Sequence, residues 1–457
     1  MDYSSSNVLL WNFIIQLGII ALMVIISNVL RLKIPFVKKS LMPTSVLAGF
    51  LLLGLKYSNT IHIDNNLLDM ITYHAIALGF IAMSLRVVKK TENNGVRTAV
   101  NSGALIVSTY LVQGIIGLTI SIVLGYTLLP NLFKASGILL PMGFGQGPGQ
   151  ANNIGSTYEA LGFAGGRSYG LTIAATGFLV ACIVGVIYLN IASRKGRIVH
   201  KTAEELSGSV TIDTFQDENE MPVSQSIDKL SIQAALILMV YAFTYFVLWG
   251  ITSLLGKFAP GLLKTVGPLL WGFNFIFGSL FAALFRIIIS KFRKNKIMNY
   301  QYQNNYLLSR ISGLCFDVMI ICGIAGINFE DLSGLWIPFL STCILGGIGT
   351  FVYLRIMCKK LYPGYEEEGF LSMFGMLTGT ISSGILLVRE VDPEFKTPAA
   401  NNLVSGSGTG IAFGAPMLLL IGMAPKSLTM LFVVFGALFV YFGILMLIMM
   451  INKKKNK

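Results

Sequence analysis

Two glycine-rich stretches of the chain hold most of the side chains that could bind a ligand. In the first, residues 130–166, four glycines surround Pro148, and no continuous helix can pass through such a sequence. A break in a helix frees backbone carbonyl groups, which can coordinate a cation together with side-chain oxygens. The candidate ligands in this stretch are Gly145, Gln146, Gly147, Gln150, Asn152, Asn153 and Ser156.

The second stretch, residues 368–424, has the same chemistry. Gly375, Gly379 and Gly384 lie among Thr378, Thr380, Ser382 and Ser383, and this segment is a second candidate for a helix break. The candidate ligands in this stretch are Thr378, Gly379, Thr380, Ser382, Ser383, Asn401, Asn402 and Ser405.

A short internal match joins the two stretches. Ala151–Ser156 reads ANNIGS and Ala400–Ser405 reads ANNLVS, with four identities in six positions. Asparagine oxygens suit a hard cation, and helix N-termini at the breaks would face an anionic substrate. Glycines also allow close helix packing, but such packing gives no reason for paired asparagines in a membrane. The sodium ligands that we predict are Asn152, Asn153, Asn401 and Asn402.

Single ionisable residues add two further candidates. Asp317 lies inside an apolar block, where a carboxylate is either functional or bonded to a structural partner. Arg389 ends an apolar run beside the second break, and its guanidinium could hold a substrate carboxylate through paired hydrogen bonds. The alternative for Arg389 is an interfacial anchor that extends to the headgroups. Arg167 is a weaker rival for the same role.

The composition is that of an all-α polytopic membrane protein. Hydrophobic residues make up 54% of the 457 residues and charged residues only 12%, about half the share found in soluble domains. The apolar residues form blocks of about 20, the length that crosses the hydrocarbon core of a bilayer. The net charge of +13 lies mostly in short loops, which argues for a topology signal and against nucleic-acid binding.

Ten spans can be drawn from these blocks. They are 8–30, 41–57, 67–85, 99–129, 170–192, 232–255, 262–289, 310–327, 335–357 and 427–451. Basic residues concentrate in the loops after the first, third, fifth and seventh spans, and the loops of the other parity are nearly bare. The positive-inside rule therefore predicts an external N-terminus in a cytoplasmic (inner) membrane.

A polar, acidic segment divides the chain in two. Residues 193–231 read as a flexible cytoplasmic linker between halves 1–192 and 232–457. Each half has five spans, so the halves begin on opposite sides of the membrane, as inverted repeats do. We predict one re-entrant hairpin before the last span of each half, at 130–166 and 368–424, and an elevator-type secondary transporter.

The chain resembles the bacterial sodium/glutamate symporter family. The similar segments are Tyr73–Arg86 (YHAIALGFIAMSLR) and Gly375–Pro398, with its TGT, LLVR and VDPEFKTP elements. The resemblance implies inverted five-span domains, two re-entrant loops, a homodimer and sodium-coupled uptake of glutamate. In place of the GGxG core of that family, this chain has Gly143–Gly147 (GFGQG). Ten spans would leave the C-terminus outside, whereas Lys453–Lys455 favours the cytoplasm.

Other functions stay open at this point. A sodium-coupled carrier of di- or tricarboxylates (2-hydroxycarboxylate type) shares this architecture, and a passive channel is a further alternative. The chain has no clustered catalytic residues, so we do not expect an enzyme. The expected partners are a small acidic solute, Na⁺ as the coupling ion, the lipid bilayer and a second copy of the chain, with no other cofactor.

Overall fold

A computed structural model describes residue 4 and residues 7–87, 93–197, 223–297, 302–392 and 396–454. Within these ranges the regular structure is entirely helical. The α-helices are α1 Val8–Lys33, α2 Pro35–Lys39, α3 Thr44–Tyr57, α4 Asn65–Leu85, α5 Asn93–Thr127, α6 Pro148–Glu159, α7 Gly166–Arg194, α8 Val223–Phe258, α9 Pro260–Gly272, α10 Asn274–Lys294, α11 Asn305–Ala325, α12 Trp336–Leu361, α13 Glu366–Thr378, α14 Ile381–Arg389, α15 Ala399–Met423 and α16 Leu428–Lys454. A 3₁₀ turn at Lys134–Ile138 and a π turn at Pro141–Gly145 lie between α5 and α6.

Ten of the described helices are long and apolar enough to cross a membrane. They are α1, α4, α5, α7, α8, α10, α11, α12, α15 and α16. The predicted class of polytopic helical membrane protein is thereby confirmed. The number of spans equals the predicted one, but the set differs.

Two helices account for the difference. Helix α3, predicted as a full span at 41–57, has 14 residues and is about 21 Å long at 1.5 Å per residue, short of a hydrocarbon core of about 30 Å. Helix α15, predicted as part of a re-entrant hairpin, has 25 residues and qualifies as a span. Gly406, Gly408 and Gly410 all lie inside this continuous helix.

Two further boundaries differ from the predictions. The predicted span 262–289 consists of two helices, α9 and α10, which meet at Phe273. Helix α8 begins at Val223, so the end of the predicted linker 193–231 is helical. Residues 198–222 of that linker lie outside the described residues.

The chain forms two compact units, and each combines segments from both halves of the sequence. The first unit consists of Met1–Leu68, Thr91–Lys201 and Ile320–Lys457. The second consists of Asp69–Lys90 and Thr202–Met319. Residues of α4 and of α11 are divided between the two units.

The second unit has an aliphatic core on α4, α8, α10 and α11. Its buried members are Ile81, Ala82, Leu85, Ile237, Val240, Ala282 and Leu308. Polar side chains inside it are bonded to one another or to backbone, as in the contact of Ser84 Oγ with Ser279 Oγ at 2.5 Å and the donation from Ser312 Oγ to the Gly79 carbonyl at 3.0 Å.

Helix α5 runs through the first unit and is approached closely by its neighbours. A Cβ added to Gly117 would overlap the carbonyl of Gly137 in the 3₁₀ turn, and a Cβ on Gly103 would overlap the Thr409 hydroxyl of α15. Contacts this short need residues without side chains, as is usual where membrane helices pack backbone to backbone. The small residues of α5 thus set how near the broken segment before α6 can lie.

We predict that Gly117→Ala destabilises the protein, whereas Gly114→Ala one turn earlier does not. The added methyl at Gly117 meets backbone that cannot move aside, and such overpacking costs about 1–3 kcal/mol. At Gly114 the nearest atom would be 3.5 Å away, an ordinary contact, so helix propensity favours alanine. Thermal unfolding of the two variants in detergent tests this. Equal melting temperatures would contradict the proposed backbone contact.

Candidate functional site

The first break in the first unit lies between the π turn and α6. Its residues are Gly145–Pro148, here called the first tip. Gly147 has φ +88° and ψ −175°, a conformation that is essentially restricted to glycine. Helix α6 then begins with Pro148, which suits the first helical position because its missing N–H would have no partner there. The predicted interruption of the first glycine-rich stretch is confirmed.

The second break lies between α13 and α14. Its residues are Thr378–Ile381, here called the second tip. Gly379 is non-helical with φ −137° and ψ −105°, and Thr380 is extended before α14 starts at Ile381. Helices α13 and α14 pack side by side, because a Cβ on Gly375 would lie 2.8 Å from the Cα of Gly384. This break was also predicted correctly.

The two tips lie against each other within the first unit. A Cβ built on Gly147 would be 3.8 Å from the carbonyl oxygen of Gly379 and 3.8 Å from Cγ2 of Thr380. Helices α6 and α14, of 12 and 9 residues, therefore both begin at this contact. The first N–H groups of a helix have no partner within it and carry partial positive charge. The meeting of two such ends creates a place that favours an anion.

Buried oxygen atoms at the tips supply an independent sign of a ligand. Gln150 Oε1 on α6 and Ser383 Oγ on α14 have no hydrogen-bond partner among the described residues, although these side chains are only 4% and 2% exposed. Thr380 Oγ1 and Gln113 Oε1 of α5 are also buried atoms that have no hydrogen-bond partner among the described residues. A buried polar atom without a partner costs about 1–3 kcal/mol, so four such oxygens around one contact indicate a ligand-binding site.

The two asparagine pairs lie on helices that differ in their position relative to the tips. Asn152 and Asn153 are buried on α6, the helix that starts at the first tip. Asn401 and Asn402 lie at the start of α15, which follows α14 rather than the tip itself. The matched segments are therefore not equivalent by element order. Sodium binding by the four asparagines stays a prediction, and only the first pair lies on a helix that begins at a tip.

One buried asparagine of each pair has a side-chain hydrogen bond to a known partner. Asn152 Oδ1 accepts a hydrogen bond from Arg167 Nε at 3.1 Å, and Asn402 Nδ2 donates to the hydroxyl of Tyr365 at 3.0 Å. Asn401 is exposed. Asn152 lies about 6 Å along α6 from Pro148, so Arg167 brings a cationic group to within about one turn of the first tip.

The remaining candidates from the two stretches differ in their burial and in their distance from the tips. Gly145 and Gly147 are buried in the first tip and Gln146 is half-buried there, whereas Ser156 lies farther along α6. Thr378 is buried, and its hydroxyl donates to the Phe374 carbonyl of its own helix at 2.7 Å. Ser382 and Ser405 are exposed.

The two ionisable candidates are not at the tips. Arg389 is in the last turn of α14, about 12 Å along the helix axis from Ile381, so it lies at the opposite end of α14 from the second tip. It is within electrostatic range of Arg31 of α1. Asp317 is exposed on the part of α11 that belongs to the second unit.

The loop between α14 and α15 is held by Asp392. Its carboxylate accepts hydrogen bonds from the Lys396 N–H at 2.9 Å, the Thr397 N–H at 2.7 Å and the Thr397 hydroxyl at 2.6 Å. Burial acts to raise the pKa of Asp392, but these hydrogen bonds outweigh it and hold the pKa below its usual value. Because its pKa is lower in the folded protein, the ionised Asp392 carboxylate stabilises the folded state at pH values above about 3.9, the ordinary pKa of aspartate. This stabilisation is lost as the pH falls through the lowered pKa of the folded state.

Sequence reasoning missed Gln113, which is fully buried on α5. Its Nε2 donates to the Leu377 carbonyl at 2.8 Å and to Thr350 Oγ1 at 3.0 Å, so it ties α5 to α12 and to the last turn of α13. The signal was present in the sequence, since a glutamine inside an apolar span is unusual. Gln113 lies outside both glycine-rich stretches in the sequence.

Comparison of the sequence with models of known protein families finds no match, and comparison with curated proteins finds none either. The resemblance to sodium/glutamate symporters consequently stays an expectation from the quoted motifs.

We predict that Gly147→Ala weakens ligand binding, whereas Gly162→Ala does not. Both glycines have positive φ, +88° and +101°, so alanine at either position should cost about 1–3 kcal/mol in backbone strain. Gly162 is an exposed turn residue after α6, and it controls for the loss of stability. Melting temperatures and isothermal titration with L-glutamate and sodium separate the two effects. A binding loss of the same size in both variants would contradict the assignment of the first tip.

Proposed function

We propose that this protein is a secondary active transporter that couples the uptake of a small acidic solute, with glutamate as the first candidate, to the sodium gradient. The observation that carries the proposal is the meeting of two broken helices at a contact surrounded by buried oxygens without partners. Ten apolar helices are compatible with a transporter. Broken helices that meet in this way are a recurring means of building ion and substrate sites in secondary transporters.

The chemistry of the tips suits both solutes. The N-terminal ends of α6 and α14 offer N–H groups and partial positive charge to a carboxylate. Neutral oxygens from Gln150, Thr380 and Ser383 suit a hard monovalent cation, and Asn152 and Asn153 lie close by on α6. Inverted repeats, re-entrant hairpins and a homodimer belong to this proposal through the resemblance.

A revised topology belongs to this proposal. It requires that α3, although shorter than the hydrocarbon core, crosses a locally thinned bilayer, so that α3 and the ten long helices together make eleven crossings. An external N-terminus then leaves the C-terminus in the cytoplasm, where Lys453–Lys455 satisfies the positive-inside rule. The conflict between span count and terminal charge disappears.

The position of Arg167 makes it a better candidate than Arg389 for the cation that offsets the substrate charge. Arg167 bonds to Asn152 on the helix that starts at the first tip, and its Nη2 donates to the Gly326 carbonyl at 3.1 Å. The distance of Arg389 from the second tip favours its alternative role as an interfacial anchor.

We expect purified protein in proteoliposomes to accumulate L-glutamate when sodium is outside, and not when choline replaces sodium. The imposed gradient should involve no difference in pH, so that proton coupling cannot drive uptake. A panel that includes aspartate, malate and citrate separates an amino-acid carrier from a di- or tricarboxylate carrier. Equal uptake of every substrate in sodium and in choline would contradict sodium coupling and favour a passive channel.

We further expect Arg167→Lys to weaken binding of an acidic substrate by roughly tenfold to a hundredfold. Lysine keeps the charge but lacks the planar fork that binds a carboxylate through paired hydrogen bonds. Arg389→Lys is the matched control and should leave the apparent affinity within about threefold of the unmodified protein, consistent with an interfacial side chain. A large loss in Arg389→Lys together with none in Arg167→Lys would restore the prediction made from the sequence.

A further inference from the structure

Gln113 is a fully buried side chain whose hydrogen bonds use only one end of its amide. Nε2 donates to two acceptors, the Leu377 carbonyl at 2.8 Å and Thr350 Oγ1 at 3.0 Å. Oε1 has no hydrogen-bond partner among the described residues, and the residue has 0% exposure. An amide of this kind has unused acceptor capacity inside the protein.

The orientation of the amide is fixed by its neighbours. The Leu377 carbonyl can only accept a hydrogen bond. The Thr350 hydroxyl already donates to the Gly346 carbonyl at 2.7 Å, so it must act as an acceptor toward Gln113. Turning the amide over would place an oxygen against two acceptors, so Nε2 faces α12 and α13 and Oε1 faces away from them.

The unused oxygen faces the first tip. A Cβ built on Gly145 would be 2.9 Å from Gln113 Oε1, and it would also overlap the ring of Tyr110. Glycine at position 145 therefore lets the backbone of the first tip approach this oxygen closely. Gln113 also reaches the C-terminal end of α13, where the helix dipole is negative. An acceptor beside a negative helix end, out of reach of solvent, favours a cationic partner.

We propose that Gln113 is a binding residue for a cationic group. Its Oε1 is the acceptor, and the two hydrogen bonds of Nε2 fix the orientation of the amide. This inference rests on the proposed transport function and adds a residue on α5 to the site at the tips. The cationic group is either the coupling sodium ion or the ammonium group of an amino-acid substrate. These two sources share the chemistry that Oε1 requires, and they can be separated by experiment.

The main variant is Gln113→Met, which keeps the length of the side chain and removes both the acceptor and the donor. Gln113→Glu is the second variant, because it keeps an acceptor oxygen and adds negative charge next to the cation. Ser108→Ala is the matched control: Tyr353 of α12 donates to the Ser108 hydroxyl of α5 at 2.7 Å, so this change also removes a buried bond between the same two helices. The control reports what the loss of such a bond does to folding.

The readouts are the rise in melting temperature with sodium, and isothermal titration with L-glutamate and with malate at saturating sodium. If Oε1 binds sodium, Gln113→Met raises the half-effective sodium concentration about tenfold or more, and Gln113→Glu, with its added negative charge, lowers it. If Oε1 binds the ammonium group, Gln113→Met weakens L-glutamate by a similar factor while leaving malate and the sodium midpoint unchanged. Ser108→Ala should change neither quantity by more than about twofold.

Normal sodium and substrate binding in both Gln113 variants would overturn the inference and leave the proposed transport function intact. A loss of the same size in Ser108→Ala would also overturn it, since the effect would then belong to helix packing. If Gln113→Met does not fold, Gln113→Glu decides the question, because unchanged sodium and L-glutamate affinities beside an added negative charge exclude a bound cation there. An unmodified protein that responds to neither sodium nor any acidic solute would overturn the proposed function and this inference together.

Discussion

A peptide group that leaves a helix inside a bilayer loses its hydrogen-bond partner and finds no water in the hydrocarbon core to replace it. This constraint explains why the two breaks of this chain occur together and inside protein. Gly145, Gly147, Thr378 and Gly379 are all buried, and the backbone of one tip lies against that of the other. Two breaks that share one location concentrate the unsatisfied amide and carbonyl groups where a polar ligand can use them.

Two breaks packed together in this way need neighbouring helices whose backbones approach the tips closely. Helix α7 provides one, since a Cβ on Gly177 would overlap the Thr378 carbonyl and lie 3.0 Å from the ring of Phe144. Helix α5 provides the other through Gly117 and, at the tips, through Gln113. The glycines of these two helices therefore serve packing, and by doing so they position the site.

The parts of the fold that depend on local sequence could be predicted. The parts that depend on which helices pack against each other could not. Long apolar blocks and the two breaks follow from hydrophobic length and from the geometry of glycine and proline, which act within a few residues. Arg389 looked close to the second tip because it is near in sequence, but a helix of nine residues carries it to the far end. Gln113 is distant from both stretches in sequence, and only the packing of α5 against α13 brings it to the tips.

The internal ANN match also shows that a similarity in sequence need not correspond to an equivalent position in the fold. It aligns α6 with α15, whereas the breaks themselves align α6 with α14, since each of these helices begins at a tip. In chain order, α7 follows α6 as α15 follows α14, and α16 comes after this series. Helix breaks are the firmer reference points, because the bilayer allows them only where the structure can satisfy the exposed backbone.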